Sequence, residues 1–315
     1  MTTVQTIDNL AAEPVRRTDT ALAHGFRYWS PWLLVFVAAW IGGLVWAAPH
    51  PVALMRQNYV FCIVGFFGAI LGNISAIGGG IVFIPVMIFV FHLPPVTALK
   101  IAIASQSFGM TSGAIGWMQK RAIPLGALRL TVPGLLVGSA ISSLVIHPNA
   151  LLVKVLFGPV SILLGVLTIV LSRRAKRTAD SPHSNVIPRK AAVPLVLMSI
   201  LGGLITGWIA IGEGELVAAL LMLAYGIDVS ACIGLGVVLL SINSIFLTVI
   251  HQFFLGGIPW DIAAFTAFGC VFGARLAPYL SHRSNPLILK NVFAAIAIGD
   301  GILFIVQFIW FHHAR

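Results

Sequence analysis

Two carboxylates one residue apart, Glu213 and Glu215, lie in an otherwise apolar and glycine-rich stretch, Ile211-Gly212-Glu213-Gly214-Glu215. An earlier stretch, Ile77-Gly78-Gly79-Gly80, repeats the glycine pattern without the acids. A glycine run breaks a helix and frees backbone N–H and C=O groups. A helix that restarts there presents unpaired N–H groups and the positive end of its dipole, an arrangement suited to an anion. The same glycines also serve close helix packing. For the two acids the residues leave three roles open. One acid, desolvated and beside a like charge, carries a proton and exchanges it. Alternatively the pair binds a cation, or it is structural, pairing with Arg275 or Arg129 or capping the broken helix from its first turn.

Further candidates accompany the two breaks. Ser241, Ser244, Thr248 and His251 recur at spacings of three, four and three and so share one helix face, with Asn243 beside them. Such a stripe either lines a polar path or joins helices by hydrogen bonds. Ser75 precedes the first break, and Gln106 stands beside a stripe of small residues, Ser105, Gly109, Ser112 and Gly116, that reads as packing. Asp300 is a single acid in the middle of the last apolar run, a relay group or half of a salt bridge. Lys100, Arg129, Lys154, Arg275 and Lys290 sit near helix ends, where long basic side chains snorkel; as anion ligands they are minor candidates, Arg275 and Arg129 foremost. Cys62, Cys232 and Cys270 are embedded in apolar runs without metal-ligand or disulfide spacing. No cofactor, metal site or catalytic group is expected.

The elements that position these residues are membrane helices. Of 315 residues 59% are hydrophobic and 9% charged, and the mean hydropathy is +1.00, values foreign to soluble domains. Apolar runs fall at 31–48, 57–77, 80–92, 97–119, 125–146, 150–171, 191–210, 213–226, 229–254, 260–280 and 287–311, with prolines at many joints. Most approach the roughly 20 residues needed to cross a hydrocarbon core of about 30 Å. The fold class expected is an all-α polytopic bundle. The net charge of +10 resides in short loops and helix ends, which excludes a nucleic-acid partner and fits positive-inside bias. Arg16, Arg17, Arg27, Lys120, Arg121 and the basic residues at 173–190 fall on one side if each run crosses once. The N-terminus is thus expected in the cytoplasm and the C-terminus outside. Counting the short pairs at the breaks as re-entrant hairpins leaves that parity unchanged. Residues 1–28 read as a cytoplasmic tail and 29–50 as a separate first span.

The loop at 172–190 divides two similar parts, 57–171 and 191–311. An offset of 134 to 135 places Ile77-Gly78-x-Gly80 on Ile211-Gly212-x-Gly214, Ile123-Pro124 on Ile258-Pro259, Gly134-x-x-x-Gly138 on Gly269-x-x-x-Gly273, and His147 on His282. Each part has five segments, an odd number, so the second enters the membrane from the opposite side. Inverted repeats interrupted at matching positions point to a secondary transporter with its site between the repeats near the midplane.

The order of elements in the second part also resembles the TauE/SafE sulfite exporters, or toluenesulfonate uptake permeases. The residues that carry this are the Ile211-Gly212-x-Gly214 element, the helix from Ile242-Asn243-Ser244 to His251, Gly257-Ile258-Pro259-Trp260-Asp261 and the Gly269/Gly273 helix. The first part shows the same order with Gly78-Gly79-Gly80, Pro85, Pro94-Pro95, Ala98 and Ile123-Pro124. The resemblance covers about residues 60–310. It implies a permease for small anions, often sulfur-containing or organic, with the glycine breaks near the substrate path. The chain departs from that pattern by carrying Glu213 and Glu215, and Ala219 where the first part has Pro85.

The expected function is secondary active transport of a small anionic solute across the plasma (inner) membrane, with protons as the candidate coupling ion, and no enzymatic activity. Expected substrate contacts are Ser75, Gly78, Gly79, Gly80, Gln106, Gly212, Gly214, Ser241, Asn243, Ser244 and His251, with Glu213, Glu215 and Asp300 coupling. An enzyme alternative is a membrane phosphatase for lipid pyrophosphates, for which Glu213, Glu215, Arg129 and Arg275 supply residue types. A cation-coupled transporter is another. The sequence leaves the oligomeric state open.

Overall fold

The computed structural model describes residues 30–75, 78–119, 123–177, 189–283 and 286–313. The N-terminal tail, Lys120-Arg121 and most of the loop between the two similar parts lie outside the described residues. The chain divides into two compact units, Met1–Val52 and Ala53–Arg315. The first contains α1 (Ser30–Ala47), an apolar helix of 18 residues.

Every element of the second unit is helical: α2 (Pro51–Ser75, starting in the last residues of the first unit), α3 (Gly80–Pro85), α4 (Pro95–Gln119), α5 (Leu125–Ala140), α6 (Ala150–Arg177), α7 (Ala192–Ile209), α8 (Glu213–Tyr225), α9 (Val229–Phe253), α10 (Trp260–Arg283) and α11 (Pro286–His313). Seven of them, α2, α5, α6, α7, α9, α10 and α11, are long and apolar enough to cross a membrane. The protein is a multi-pass helical membrane protein. Two elements exceed their apolar runs by more than a full turn. The run at 57–77 becomes a helix from Pro51, because proline is preorganised for a first turn and Arg56-Gln57-Asn58 continue a helix despite their polarity. The run ending at 171 extends to Arg177, where basic residues suit the negative end of the dipole.

The two short segments settle how the glycine runs act. Helix α3 continues for five residues as a π-helical turn, Val86–Val90, so the segment spans about 17 Å, and α8 with 13 residues spans about 20 Å. Both fall short of a hydrocarbon core of about 30 Å. Each folds back along the helix before it. Gly72 of α2 abuts Gly78 and Gly79, and Gly68 abuts Phe83. In α7, Gly202 abuts Glu213, and the Thr206 hydroxyl donates to the Ile211 carbonyl. The reversal needs a left-handed residue in both places, supplied by Gly78 (φ +103°) and Gly212 (φ +107°). The two short helices end differently because Pro85 cannot donate its backbone N–H, and a π-turn follows it. Ala219 lets α8 run straight to Tyr225.

Packing directions alternate along the chain. Helix α4 runs antiparallel to α9 and parallel to α10, α6 runs antiparallel to α11, and α5 is parallel to α7 as α2 is to α10. The last two pairs use corresponding atoms. Gly134 and Gly138 of α5 press on the carbonyls of Val196 and Ile200, while Gly269 and Gly273 of α10 press on those of Cys62 and Phe66. A Cβ at Gly273 would stand 2.0 Å from the Phe66 oxygen, and one at Gly138 2.1 Å from that of Ile200. Backbone cannot yield as a side-chain tip can. Gly273→Val is therefore expected to destabilise the protein by about 3 kcal/mol or more, seen as a lower melting temperature in detergent. Gly42→Val in α1, where a Cβ meets nothing within 4 Å, should leave it within a degree or two.

Candidate functional site at the meeting of two broken helices

The two glycine breaks touch. A Cβ on Gly80 would lie 2.5 Å from the Ala210 carbonyl oxygen and 3.0 Å from Gln106 Nε2, and one on Gly78 would lie 3.3 Å from the same amide nitrogen. Gln106 of α4 joins them by donating from Nε2 to the Ala210 oxygen at 2.7 Å. Its Oε1 accepts from the Ser244 hydroxyl of α9 at 3.3 Å. Ala210 itself has φ +56°, the left-handed region that costs a Cβ-bearing residue about 1 kcal/mol or more. This conformation aims its carbonyl at Gln106 and the first break.

Glu213 opens α8 beside this junction and is fully buried. Its Oε2 accepts a hydrogen bond from Asn243 Nδ2 of α9. Asn243 Oδ1 accepts in turn from the Ser139 hydroxyl of α5 at 2.7 Å, and that hydroxyl also reaches the Gly203 carbonyl of α7 at 3.2 Å. One side-chain relay thus binds α5, α7, α8 and α9 around the acid. The other polar neighbour, Thr206, has its hydroxyl on the Ile211 carbonyl. Glu213 Oε1 has no hydrogen-bond partner among the described residues.

Glu215 is also buried but faces elsewhere. Its Oε1 accepts from the Thr168 hydroxyl of α6 at 2.7 Å. Residues two apart on a helix do not share a face, and these hydrogen bonds run to different helices, α9 for Glu213 and α6 for Glu215. Of the proposed basic partners, Arg129 is exposed on α5, and Arg275 donates from Nη1 to the Ser112 carbonyl of α4 at 3.3 Å.

The remaining candidates distribute along the α4–α9 seam or away from it. The Ser241 and Thr111 hydroxyls are hydrogen-bonded at 2.7 Å, either one donating, and Thr248 donates to the Ser244 carbonyl at 2.6 Å and to that of Ile103 at 3.5 Å. Two of these bonds, Ser241–Thr111 and Thr248–Ile103, cross between α4 and α9. His251 is buried farther along the same seam. Gly79 and Gly214 are buried beside the breaks, and Gly212 faces Leu164 of α6. Asp300 is half-buried on α11, which packs mainly on α6. The side chain of Ser75 lies outside the described residues. Sequence reasoning missed Ser139, Thr168 and the Ala210 carbonyl. The cluster Ser139-x-x-Ser142-Ser143 in an apolar helix is a signal for the first, whereas nothing in the sequence marks a carbonyl.

The model for the sulfite exporter TauE/SafE family matches residues 61–304. The chain belongs to this family. That span holds the whole junction, both TauE/SafE half-helices and all ten helices from α2 to α11 in part or whole. A curated relative, a probable membrane transporter protein of Methanocaldococcus jannaschii, is 25% identical over 259 residues, covering 74% of this chain and 90% of its own length. No solved structure matches the chain. Membership of the TauE/SafE family, with the helical membrane architecture, makes this protein a membrane transporter.

Proposed function

We propose that the protein is a proton-coupled permease for small oxyanions of the sulfite and sulfonate class, working by alternating access at the junction of the two breaks. Its substrate class follows the family name and the chemistry of the junction. Two half-helices begin there, and α8 brings the positive end of a 13-residue dipole to the centre of the unit. Backbone and amide donors such as Gln106 Nε2 are what a small oxyanion needs. The observation that carries the proposal is a fully buried Glu213 in the first turn of α8, next to the contact between Gly80 and Ala210.

The carboxylate of Glu213 stands where the helix terminus favours negative charge, so it competes with a substrate anion for that position. A proton on Glu213 removes the competitor and also the cost of an ionised acid at this depth. Proton and anion therefore load together, and flux runs from the acidic to the alkaline side. The groups facing Glu213 are Asn243 from α9, Thr206 from α7 and, through Asn243, Ser139 from α5. None of them titrates near neutral pH. The matched contacts of α2–α10 and α5–α7 support two inverted repeats, residues 57–171 and 191–311, rocking about the junction. The bias of Lys and Arg supports an inner-membrane protein with its N-terminus in the cytoplasm and its C-terminus outside.

Purified protein in liposomes tests this reading. Saturable sulfite flux, competed by methanesulfonate and driven by a pH gradient, is the expected result. Hydrolysis of a lipid pyrophosphate without solute flux would replace it with the phosphatase alternative.

A further inference from the structure

The α4–α9 seam has unlike ends. One is closed by an apolar cluster of Met110, Ala114, Trp117, Val237, Val238 and Leu240. At the other, Lys100 of α4 donates from Nζ to the Leu255 carbonyl at 2.5 Å, reaching the loop between α9 and α10. That loop turns through Gly256 (φ +78°) and Gly257 (φ +82°), and a Cβ on Gly256 would come 3.9 Å from Lys100 Nζ. His251, the last polar residue of the seam, is fully buried, and neither ring nitrogen has a hydrogen-bond partner. The same loop returns to His251, whose carbonyl accepts from the Gly257 N–H at 3.1 Å. A buried imidazole with both nitrogens unmatched carries a desolvation cost that packing alone does not require. Lys100 does not relieve it: its ammonium bonds the Leu255 carbonyl and neither ring nitrogen, and two of its three N–H donors remain for another acceptor. At the repeat offset, Leu235 and Gly116 take the places of Lys100 and His251, so the other end of the seam carries no such pair.

We propose that Lys100 and His251 form a peripheral anion site at this mouth of the seam, where a small oxyanion accepts from the Lys100 ammonium and a His251 N–H together before passing to the junction. The passage to the junction rests on the transport reading above, whereas the site itself does not. From the mouth, Thr248, Ser244 and Gln106 mark the seam inward to Ala210.

Methanesulfonate is the probe, observed by saturation transfer from protein to its methyl protons in deuterated detergent. Wild type should bind it. Lys100→Met should weaken binding roughly tenfold or more, the scale of a lost charge-assisted hydrogen bond, and Lys100→Arg should restore most of it. His251→Leu separates ligand from filler. It removes an unmatched polar group, so the melting temperature should hold or rise, yet binding should fall as for Lys100→Met. If Lys100→Met and His251→Leu both bind like wild type, the peripheral site is wrong, and sulfite flux in the same preparations would leave the junction reading standing. If binding depends on Lys100 and His251 while wild-type liposomes carry no sulfite, the site stands and the transport reading falls.

Discussion

Liposomes carrying Glu213→Gln are expected to move sulfite without regard to the pH gradient, with proton-driven accumulation reduced at least about tenfold. The amide keeps an oxygen for Asn243 Nδ2, so the relay through Asn243 to Ser139 persists and the fold should too. What it lacks is a group that takes up and releases a proton. In the proposed mechanism the wild type loads on the acidic side and unloads on the alkaline side. The variant resembles the protonated acid throughout, so it should equilibrate the anion but not concentrate it. Glu215→Gln is the informative partner. Its carboxylate receives the Thr168 hydroxyl of α6 on another side of α8, and the variant should keep the pH dependence. If Glu213→Gln accumulates sulfite like wild type, the acid beside the junction has no part in coupling.

A single added methyl at Gly80 should have the second largest effect. Ala at this position puts a Cβ 2.5 Å from the Ala210 oxygen and 2.9 Å from the Ile211 side chain, so the breaks must part or the Gln106 bridge must give way. Overpacking of this kind costs about 1–3 kcal/mol, and part of that is met by lost contact between the half-helices. The expected outcome is flux reduced by about a hundredfold or more with the protein still folded. A matched Gly42→Ala, placed where a Cβ meets nothing within 4 Å, should transport like wild type. Normal flux through Gly80→Ala would mean that the contact between the breaks is dispensable.

Much of the architecture was legible because membrane helices announce themselves by apolar length. All eleven apolar runs correspond to helices, and the two glycine runs do mark the reversals into short segments. Helix ends were less legible, since a polar turn such as Arg56-Gln57-Asn58 or the basic end of α6 is helical without being apolar. The site was legible in its residues and not in its partnerships. Gln106, Asn243 and Glu213 stood out as polar groups in apolar runs, but their spacing carries no hint that Asn243 serves Glu213 or that Gln106 serves the Ala210 carbonyl. Those contacts join helices far apart in the chain. Glu213 and Glu215 are near neighbours in sequence, but only the structure shows that Asn243 of α9 serves the first and Thr168 of α6 the second.

The contact of the two breaks as an oxyanion site is tested most directly with selenite, the heavier analogue of sulfite, located by its anomalous scattering in crystals of the transport-competent protein. The expected peak lies among Gly80, Gln106, Ala210 and Glu213, and it should vanish in Gly80→Ala. Selenite found only elsewhere, with none at this junction at concentrations that saturate flux, would contradict the account.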